Sequence, residues 1–131
     1  MVFSEEKAIY LQIVDYVCEK ILSEKWLENE RILSVRELGS NLEVNPNTVL
    51  RAYDFLQNIN IIENKRGIGY FVCPNAIDKI KKIRRENFFS LVLNDFFKQI
   101  KLLNIDFNEI EVAYNKFINQ NNLLNHEKNN E

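Results

Sequence analysis

The sequence predicts a mainly α-helical protein, with three helices and a β-hairpin followed by two longer helices. Three observations predict this fold class. Two helix starts lie eleven residues apart, at Ser34 and Asn45. Two β-prone segments flank a basic turn with two glycines at residues 65–69. Apolar residues recur at helical spacing both before and after this region.

Bulk composition indicates a globular chain of modest size. The 131 residues are enough for one domain, or for a small domain with an appendage. With 46% hydrophobic and 27% charged residues, the chain can supply a core. No apolar run approaches the ~18 residues that cross a bilayer, and the N-terminus lacks a signal-peptide layout. We therefore expect a cytoplasmic protein without membrane contact.

The cysteines and the histidine favour neither catalysis nor metal binding. Cys18 and Cys73 are far apart and have no partner at metal-ligand spacing, so we expect them to be buried hydrophobes. His126 is the sole histidine and stands in a polar segment. Nucleophilic catalysis and zinc sites need further ligands or bases beside such residues. The sequence therefore predicts no enzyme, no metal and no cofactor.

The first predicted helix covers residues 8–23. Its apolar positions recur every four residues, at Ile9, Ile13, Val17 and Ile21. Residues 25–33 break this period and are predicted to form a connector. The apolar side chains of the connector are expected to lie beneath the next helix: Trp26, Leu27, Ile32 and Leu33.

The second and third helices have strong start signals. Ser34 and Glu37 have capping-box spacing, which predicts a helix from residue 35 to about 42. Asn45 is a favoured N-cap and Pro46 fits the first helical position, which predicts a helix from residue 46 to about 58. A short helix, a tight turn and a longer helix form a helix-turn-helix.

The third helix has two distinct faces. Its apolar face is predicted to pack in the core and contains Val49, Ala52, Tyr53, Leu56 and Ile59. The opposite face contains Asn47, Leu50, Arg51, Asp54 and Asn58. Polar and basic groups near the start of this helix are suited to a DNA major groove.

The β-prone segments at residues 61–64 and 70–73 are predicted to pair as a hairpin with a basic tip. Three helices followed by such a hairpin form a winged helix-turn-helix. We assign residues 1–74 to this domain. A basic hairpin tip is common for solubility alone, but beside a polar helix face it becomes a candidate DNA contact.

Residues 75–120 are predicted to form a two-helix dimerisation region, and residues 121–131 a disordered polar tail. The first helix has apolar residues at the 4–3 spacing of packed helices, and Asp106 with Glu109 caps the second. A second copy of the pair matches this surface best, so we expect a homodimer. The alternative is an aromatic-rich intramolecular core. The predicted dimerisation residues are Phe89, Leu93, Phe96, Ile100, Leu103, Phe107, Ile110, Tyr114 and Phe117.

Net charge argues against a generic nucleic-acid binder. The formal charge is −2, and residues 1–73 contain eight Lys plus Arg against eleven Asp plus Glu, or −3. DNA affinity would need a local basic surface. The basic run at residues 79–85 is either a solvated helix face or a second contact with the DNA backbone, and the sequence leaves both open.

These segments together resemble the winged-helix domain of the GntR family of bacterial transcription regulators, over residues 8–73. The matching pieces are residues 9–13, 33–38, 44–49, 51–53 and 66–72. The Asn-Pro-Asn-Thr sequence at residues 45–48 and the short C-terminal part are similar to the YtrA-like branch. That branch implies dimeric repressors without a large effector-binding domain; whether a small-molecule effector exists is left open.

The resemblance also implies residue roles. Arg36 matches the DNA-contacting arginine of the second helix, and the polar residues Asn45, Asn47 and Thr48 match those that open the recognition helix. Arg66 and Gly67 match the wing tip. Leu50 stands where a longer polar side chain is common, and we expect it to meet a thymine methyl group. Other departures are Glu28-Asn29, Leu33, Glu43 and Asn60. Asn60 is a mild change because asparagine tolerates the left-handed conformation.

The resulting hypothesis is a repressor that binds an inverted-repeat operator in double-stranded DNA as a homodimer. Arg36, Asn47 and Leu50 would read bases. Phosphates would be held by Thr48, Arg51, Lys65 and Arg66. The alternative is a winged-helix module that binds protein through its acidic surface and aromatic C-terminal helices, without salt-dependent DNA binding.

Overall fold

The structure is a computed structural model that describes residue 1 and residues 3–129, with side chains described as far as residue 125. The chain divides into two compact units, Met1–Arg85 and Glu86–Glu131. No helix within the described part of the chain combines the length and the apolar character needed to span a membrane.

The first unit contains the predicted elements in the predicted order. Its helices are α1 (Ile9–Leu22), α2 (Val35–Leu42), α3 (Pro46–Asn58) and α4 (Ala76–Asn87). Strands β1 (Ile62–Lys65) and β2 (Gly69–Val72) pair antiparallel, with Ile62 opposite Val72 and Lys65 opposite Gly69. Three helices with a β-hairpin wing confirm the predicted fold class.

The core of the first unit lies between α1, α2, α3 and the hairpin. The residues of α3 that point into it, Val49, Ala52, Tyr53 and Leu56, are fully buried. They meet apolar side chains from the other elements: Ile13, Val17, Ile21, Leu38, Ile61, Ile62 and Val72. The predicted buried face of α3 is therefore confirmed for these four residues, and Ile59 is half-buried beside them.

The connector between α1 and α2 lies along β2 as a third extended segment. The amide of Asn29 donates to the carbonyl of Val72 (2.8 Å), and the amide of Ile32 donates to the carbonyl of Tyr70 (2.9 Å). Ile32 is buried, but Leu27 is 45% exposed, so the predicted burial of Leu27 is wrong. Leu27 precedes the paired segment, where the chain turns to reach β2.

Helix α4 packs against the other elements of the first unit. Ala76 and Ile80 are buried in the same core cluster. The ammonium group of Lys79 donates to the carbonyl of Asn60 (3.1 Å), and the guanidinium of Arg84 pairs with the carboxylate of Glu19 (2.7 Å). The division into compact units falls after residue 85, and the predicted domain boundary at residue 74 stays a prediction. Two cations of the basic run hold α4 in place.

The second unit is helical in its described part except for a short turn at residues 103–106. A π-helical turn (Phe88–Val92) precedes α5 (Leu93–Leu102), and α6 runs over Phe107–Asn129. At the start of α6 the carboxylate of Asp106 accepts from the amide of Asn108, and that of Glu109 accepts from the amide of Asp106. The predicted cap is confirmed.

Helix α6 is longer than the sequence predicted. Residues 121–129 are helical where a disordered tail was expected, and residues 130–131 lie outside the described part. The physical reason is that no Gly or Pro interrupts residues 107–129, so helix propagation continues.

Candidate nucleic-acid interface

The start of α2 is held by the predicted capping box. The hydroxyl of Ser34 accepts from the amide of Glu37 (3.1 Å), and the carboxylate of Glu37 accepts from the amide of Ser34 (3.2 Å). The backbone hydrogen bond from Ser34, followed by that with its side chain, lowers the pKa of Glu37. The two hydrogen bonds between Ser34 and Glu37 therefore fix the first turn of α2, the turn that contains Arg36.

The turn between α2 and α3 is tight. Glu43 ends α2 in the left-handed conformation (φ 55°), and the amide of Val44 donates to the carbonyl of Gly39 (2.9 Å). The side-chain oxygen of Asn45 then accepts from the amide of Asn47 (2.8 Å), with Pro46 at the first helical position. Asn45 thus uses its oxygen as the N-cap, and its amide donors stay available to a ligand.

A shallow groove runs between α2 and α3 on the surface. It brings together four of the predicted DNA-binding residues, Arg36, Asn45, Asn47 and Leu50. The remaining lining is small or apolar except at Ser40 and Glu43. Leu50 is 40% exposed at this groove, although leucine usually prefers burial. An apolar side chain beside polar and cationic groups suits the mixed surface of a base-pair edge.

A second cleft lies between the first turns of α1 and α3. It brings the predicted residues Thr48 and Arg51, together with Asn47, against Ala8, Ile9 and Tyr10. The guanidinium carbon of Arg51 lies 3.9 Å from the centre of the Tyr10 ring. Sequence analysis gave Tyr10 no functional role. Its only signal was its place in one of the segments that resemble the GntR family.

The wing carries the three remaining predicted residues, Lys65, Arg66 and Gly67, all of them exposed. None of the three lines the two clefts described above. The ammonium of Lys65 lies 4.3 Å from the Phe71 ring centre and 3.8 Å from the carboxylate of Glu63. Gly67 has a φ of 80°, which a glycine adopts at no steric cost.

Arg31 also belongs to the wing, although sequence analysis did not single it out. It pairs with Phe71 across an isolated bridge, and its side chain lies directly over Gly69. A Cβ atom at Gly69 would stand 2.9 Å from Nε of Arg31. Only the pairing of the connector with β2 brings this cation to the hairpin.

Charge at this surface is unevenly compensated. Among the described residues, no ion pair with a carboxylate involves Arg36, Arg51 or Arg66. Lys65 shares its charge with Glu63, and Arg84 shares its charge with Glu19. An acidic domain thus presents, within its described part, several guanidinium groups that form no ion pair on the helix-turn-helix and the wing. A local basic surface of this kind is what the sequence analysis expected of a DNA-binding domain.

Tyr53 links α3 to the connector and the wing. Its hydroxyl donates to the carbonyl of Leu33 (2.6 Å), and its ring meets that of Tyr70 edge-on, with centroids 4.8 Å apart. Burial, above all, raises the pKa of Tyr53 above its usual value. The buried side of α3 is therefore tied to both the connector and the wing.

Comparison with known proteins gives a consistent result. The family model described as bacterial regulatory proteins, gntR family, matches residues 9–72. The HTH-type transcriptional regulator YhcF of Bacillus subtilis is 37% identical over 106 residues, which cover 79% of this chain and 84% of that protein. The HTH-type transcriptional repressor YtrA of Bacillus subtilis is 40% identical over 68 residues, or 52% of each chain.

A solved structure extends the similarity to the C-terminal helices. The crystal structure of a GntR-family transcriptional regulator from Bacteroides thetaiotaomicron superposes with a TM-score of 0.78 and 44% sequence identity. The superposition covers 86% of this chain and 98% of the other.

Proposed function

The chain belongs to the gntR family of bacterial regulatory proteins, and from that premise we propose that it is a repressor that binds an inverted-repeat operator as a homodimer. Membership makes it a DNA-binding transcription regulator with a winged helix-turn-helix. The inverted-repeat operator, the homodimer and repression go beyond family membership and are proposed.

The observation that carries the proposal is the division of α3 into two faces. The side chains of Val49, Ala52 and Tyr53 have no exposed surface, so this face cannot contact a ligand. Asn47 and Leu50 are exposed on the other face and share a groove with Arg36 of α2. A helix whose first turns present polar groups in this way can enter a major groove.

Base reading and phosphate binding fall to different side chains. Arg36 has the planar, uncompensated guanidinium that pairs bidentately with guanine, and Asn47 has the amide that pairs with adenine. Leu50 would contact a thymine methyl group. Thr48 and Arg51 in the second cleft and Lys65 and Arg66 on the wing would hold phosphates, which fixes the register of the protein on DNA.

A homodimer is supported by the second unit. Of its predicted dimerisation residues, Leu93, Phe96, Ile100 and Ile110 are half-buried. The others, Phe89, Leu103, Phe107, Tyr114 and Phe117, are between 52% and 64% exposed. No side chain at described residues 86–125 is fully buried, although the unit is rich in aromatic residues. A second copy of the same helices would cover this apolar surface, and a two-fold dimer matches a palindromic operator.

Repression is proposed from sequence similarity to a relative alone. The relative YtrA, which matches half of this chain, is a transcriptional repressor by name. A dimer that occupies an operator overlapping a promoter would block transcription without any further activity. Transcription from the promoter of its own gene should therefore rise when the gene is disrupted and fall when the protein is restored.

DNA binding is tested by mobility shift on the DNA upstream of the protein's own gene, at two salt concentrations. Wild-type affinity should fall steeply with salt because several phosphate contacts release counterions. Arg36→Ala should weaken specific binding by ~1–3 kcal/mol. Lys116→Ala is the matched control, since it removes one positive charge from an exposed position on α6. Salt-independent or absent binding would favour a protein-binding module instead.

The dimer is tested by sedimentation equilibrium across a range of protein concentrations. Phe117→Asp places a charge in the exposed apolar surface and should shift the protein towards monomer. Asn115→Asp adds the same charge on a different side of α6 and should leave the association constant unchanged. A monomeric wild-type protein at every concentration would contradict the proposal.

A further inference from the structure

Arg51 is held at the surface of α3 by an aromatic ring from another helix. Tyr10 comes from the first turn of α1, and its ring lies beneath the guanidinium at 3.9 Å. Phe55, four residues after Arg51, meets the same ring at 6.5 Å with an interplanar angle of 62°. The Tyr10 ring therefore contacts two successive turns of α3, and its position is fixed by the second of them.

The ring holds the guanidinium without neutralising it. Among the described residues, Arg51 makes no ion pair, whereas Lys65 and Arg84 each lie against a carboxylate. Stacking occupies the flat face of a guanidinium, and its N–H donors point outwards in the plane of the group. The full charge and a bidentate set of donors are thus retained for an outside ligand.

The surroundings of the stack favour an anion. Asn47 and Thr48 of α3 line the same cleft as Tyr10 and Arg51. Ala8 and Ile9 complete the cleft, and the first turn of α1 contains no acidic residue. The side chains that line the cleft therefore supply hydrogen-bond donors and no carboxylate, and Asp54, on the same face of α3, is not among them.

We propose that Tyr10 is a positioning residue for DNA binding, whose ring, braced by Phe55, holds the guanidinium of Arg51 ready for bidentate contact with a DNA phosphate. This inference rests on the proposed function. A long, exposed arginine side chain samples many rotamers, and holding it in one of them before DNA arrives reduces the ordering needed on binding. The pairing also places α1, which is outside the helix-turn-helix, in the interface.

The test compares five proteins on one probe, a duplex selected from a random library by the wild-type protein: the wild type, Tyr10→Leu, Tyr10→Phe, Arg51→Ala and the double variant. Tyr10→Leu should weaken binding by about 2- to 5-fold, the range of an exposed cation–π contact. Tyr10→Phe keeps the ring face and should bind as the wild type does. In an Arg51→Ala background, Tyr10→Leu should cause no further loss, because the side chain that it positions is absent.

Each affinity is measured by fluorescence anisotropy on the DNA-active fraction, and thermal unfolding is followed separately. A purely structural role would lower the melting temperature and leave the affinity of the active fraction unchanged. Tighter binding by Tyr10→Leu would mean that the stack withholds Arg51 from DNA. Equal losses from Tyr10→Leu with and without Arg51 would also overturn the inference.

Arg51→Lys serves as a second variant if Tyr10→Leu does not fold. Lysine keeps the charge at an exposed site but has no planar fork, so binding should weaken. Unchanged binding by Arg51→Lys would refute the stacked, bidentate contact while the proposed function stood. If the wild-type protein bound no selected duplex, the proposed function would fall first, and this inference with it.

Discussion

Replacing Tyr53 by phenylalanine removes one hydroxyl from the centre of the first unit and leaves the ring in place. Tyr53 is fully buried, and phenylalanine keeps the ring that meets Tyr70 edge-on. The hydroxyl donates to the carbonyl of Leu33, immediately before the capping residue of α2. The substitution therefore isolates one hydrogen bond that ties the recognition helix to the connector.

The expected loss of stability follows from burial and geometry. A net intramolecular hydrogen bond contributes about 0.5–1.5 kcal/mol, and a buried acceptor left without a donor costs about 1–3 kcal/mol. At 2.6 Å the bond from Tyr53 to Leu33 is short, and the aromatic packing is unchanged. We expect Tyr53→Phe to lower the free energy of unfolding by about 1–3 kcal/mol at neutral pH.

The difference in free energy of unfolding between the wild type and Tyr53→Phe should decrease in alkali. Burial raises the pKa of Tyr53 above its usual value of 10.0. The folded protein then keeps a proton that the unfolded chain releases, so the stability from this group is full below pH 10 and is lost as pH rises further. The loss is about 1.4 kcal/mol per pH unit. Tyr53→Phe lacks this group. The difference in free energy of unfolding between the wild type and Tyr53→Phe should therefore decrease by that amount at one unit above pH 10.

Urea unfolding at a fixed protein concentration, followed by fluorescence of the single tryptophan, Trp26, measures both quantities. At neutral pH Tyr70→Phe is the control, because the Tyr70 hydroxyl makes no hydrogen bond within the described part of the chain. The other groups whose pKa burial raises, Cys18, Cys73 and Tyr70, are present in both proteins and cancel. A difference in free energy of unfolding that stays constant from neutral pH to alkali would refute the burial of the Tyr53 hydroxyl.

Three further predictions concern the capping box, a thiol and the wing. Ser34→Ala should destabilise the first unit by ~1 kcal/mol. Hydrogen bonds from Ser34 hold the pKa of Glu37 below 4.5, so the stability that the Glu37 carboxylate confers is present above that pH and is lost as pH falls. Glu37→Gln should therefore reduce the fall of the urea midpoint in acid. Burial raises the pKa of Cys18 to about 11, so alkylation followed by mass spectrometry should be slow at neutral pH and fast in denaturant; fast native labelling would contradict its burial. Gly69→Ala puts a side chain at a φ of 141° and displaces the flexible end of Arg31. The backbone strain should destabilise the wing by ~1–3 kcal/mol, measured by amide exchange of the hairpin. Gly67→Ala, which meets no atom within 4 Å, should cost less.

Local signals in the sequence predicted most of the helix-turn-helix. The capping box at Ser34 and the N-cap at Asn45 set the starts of α2 and α3 at the observed residues. The spacing of Val49, Ala52 and Tyr53 also predicted which side of α3 is buried. Caps and helical periodicity act within a few residues, so they can be read without any knowledge of distant contacts.

The same local reasoning predicted the groove but not all of the interface. Arg36, Asn47 and Leu50 were expected on one surface, and the structure brings them into one groove. Their contacts with DNA stay predictions. The stack of Tyr10 on Arg51 joins residues forty-one positions apart, and no pattern within either helix indicates it.

Contacts between distant segments were decided by tertiary structure alone. The connector lies along β2 because the free edge of a two-stranded hairpin offers unpaired backbone groups, and this brings Arg31 to the wing. Helix α4 belongs to the first unit because Ala76 and Ile80 complete its core, which no composition shift at residue 74 revealed. Sequence by itself determined the elements and their buried faces, since these depend on neighbours along the chain. The packing of segments far apart in the chain decided which surface cations form an ion pair with a carboxylate and which do not.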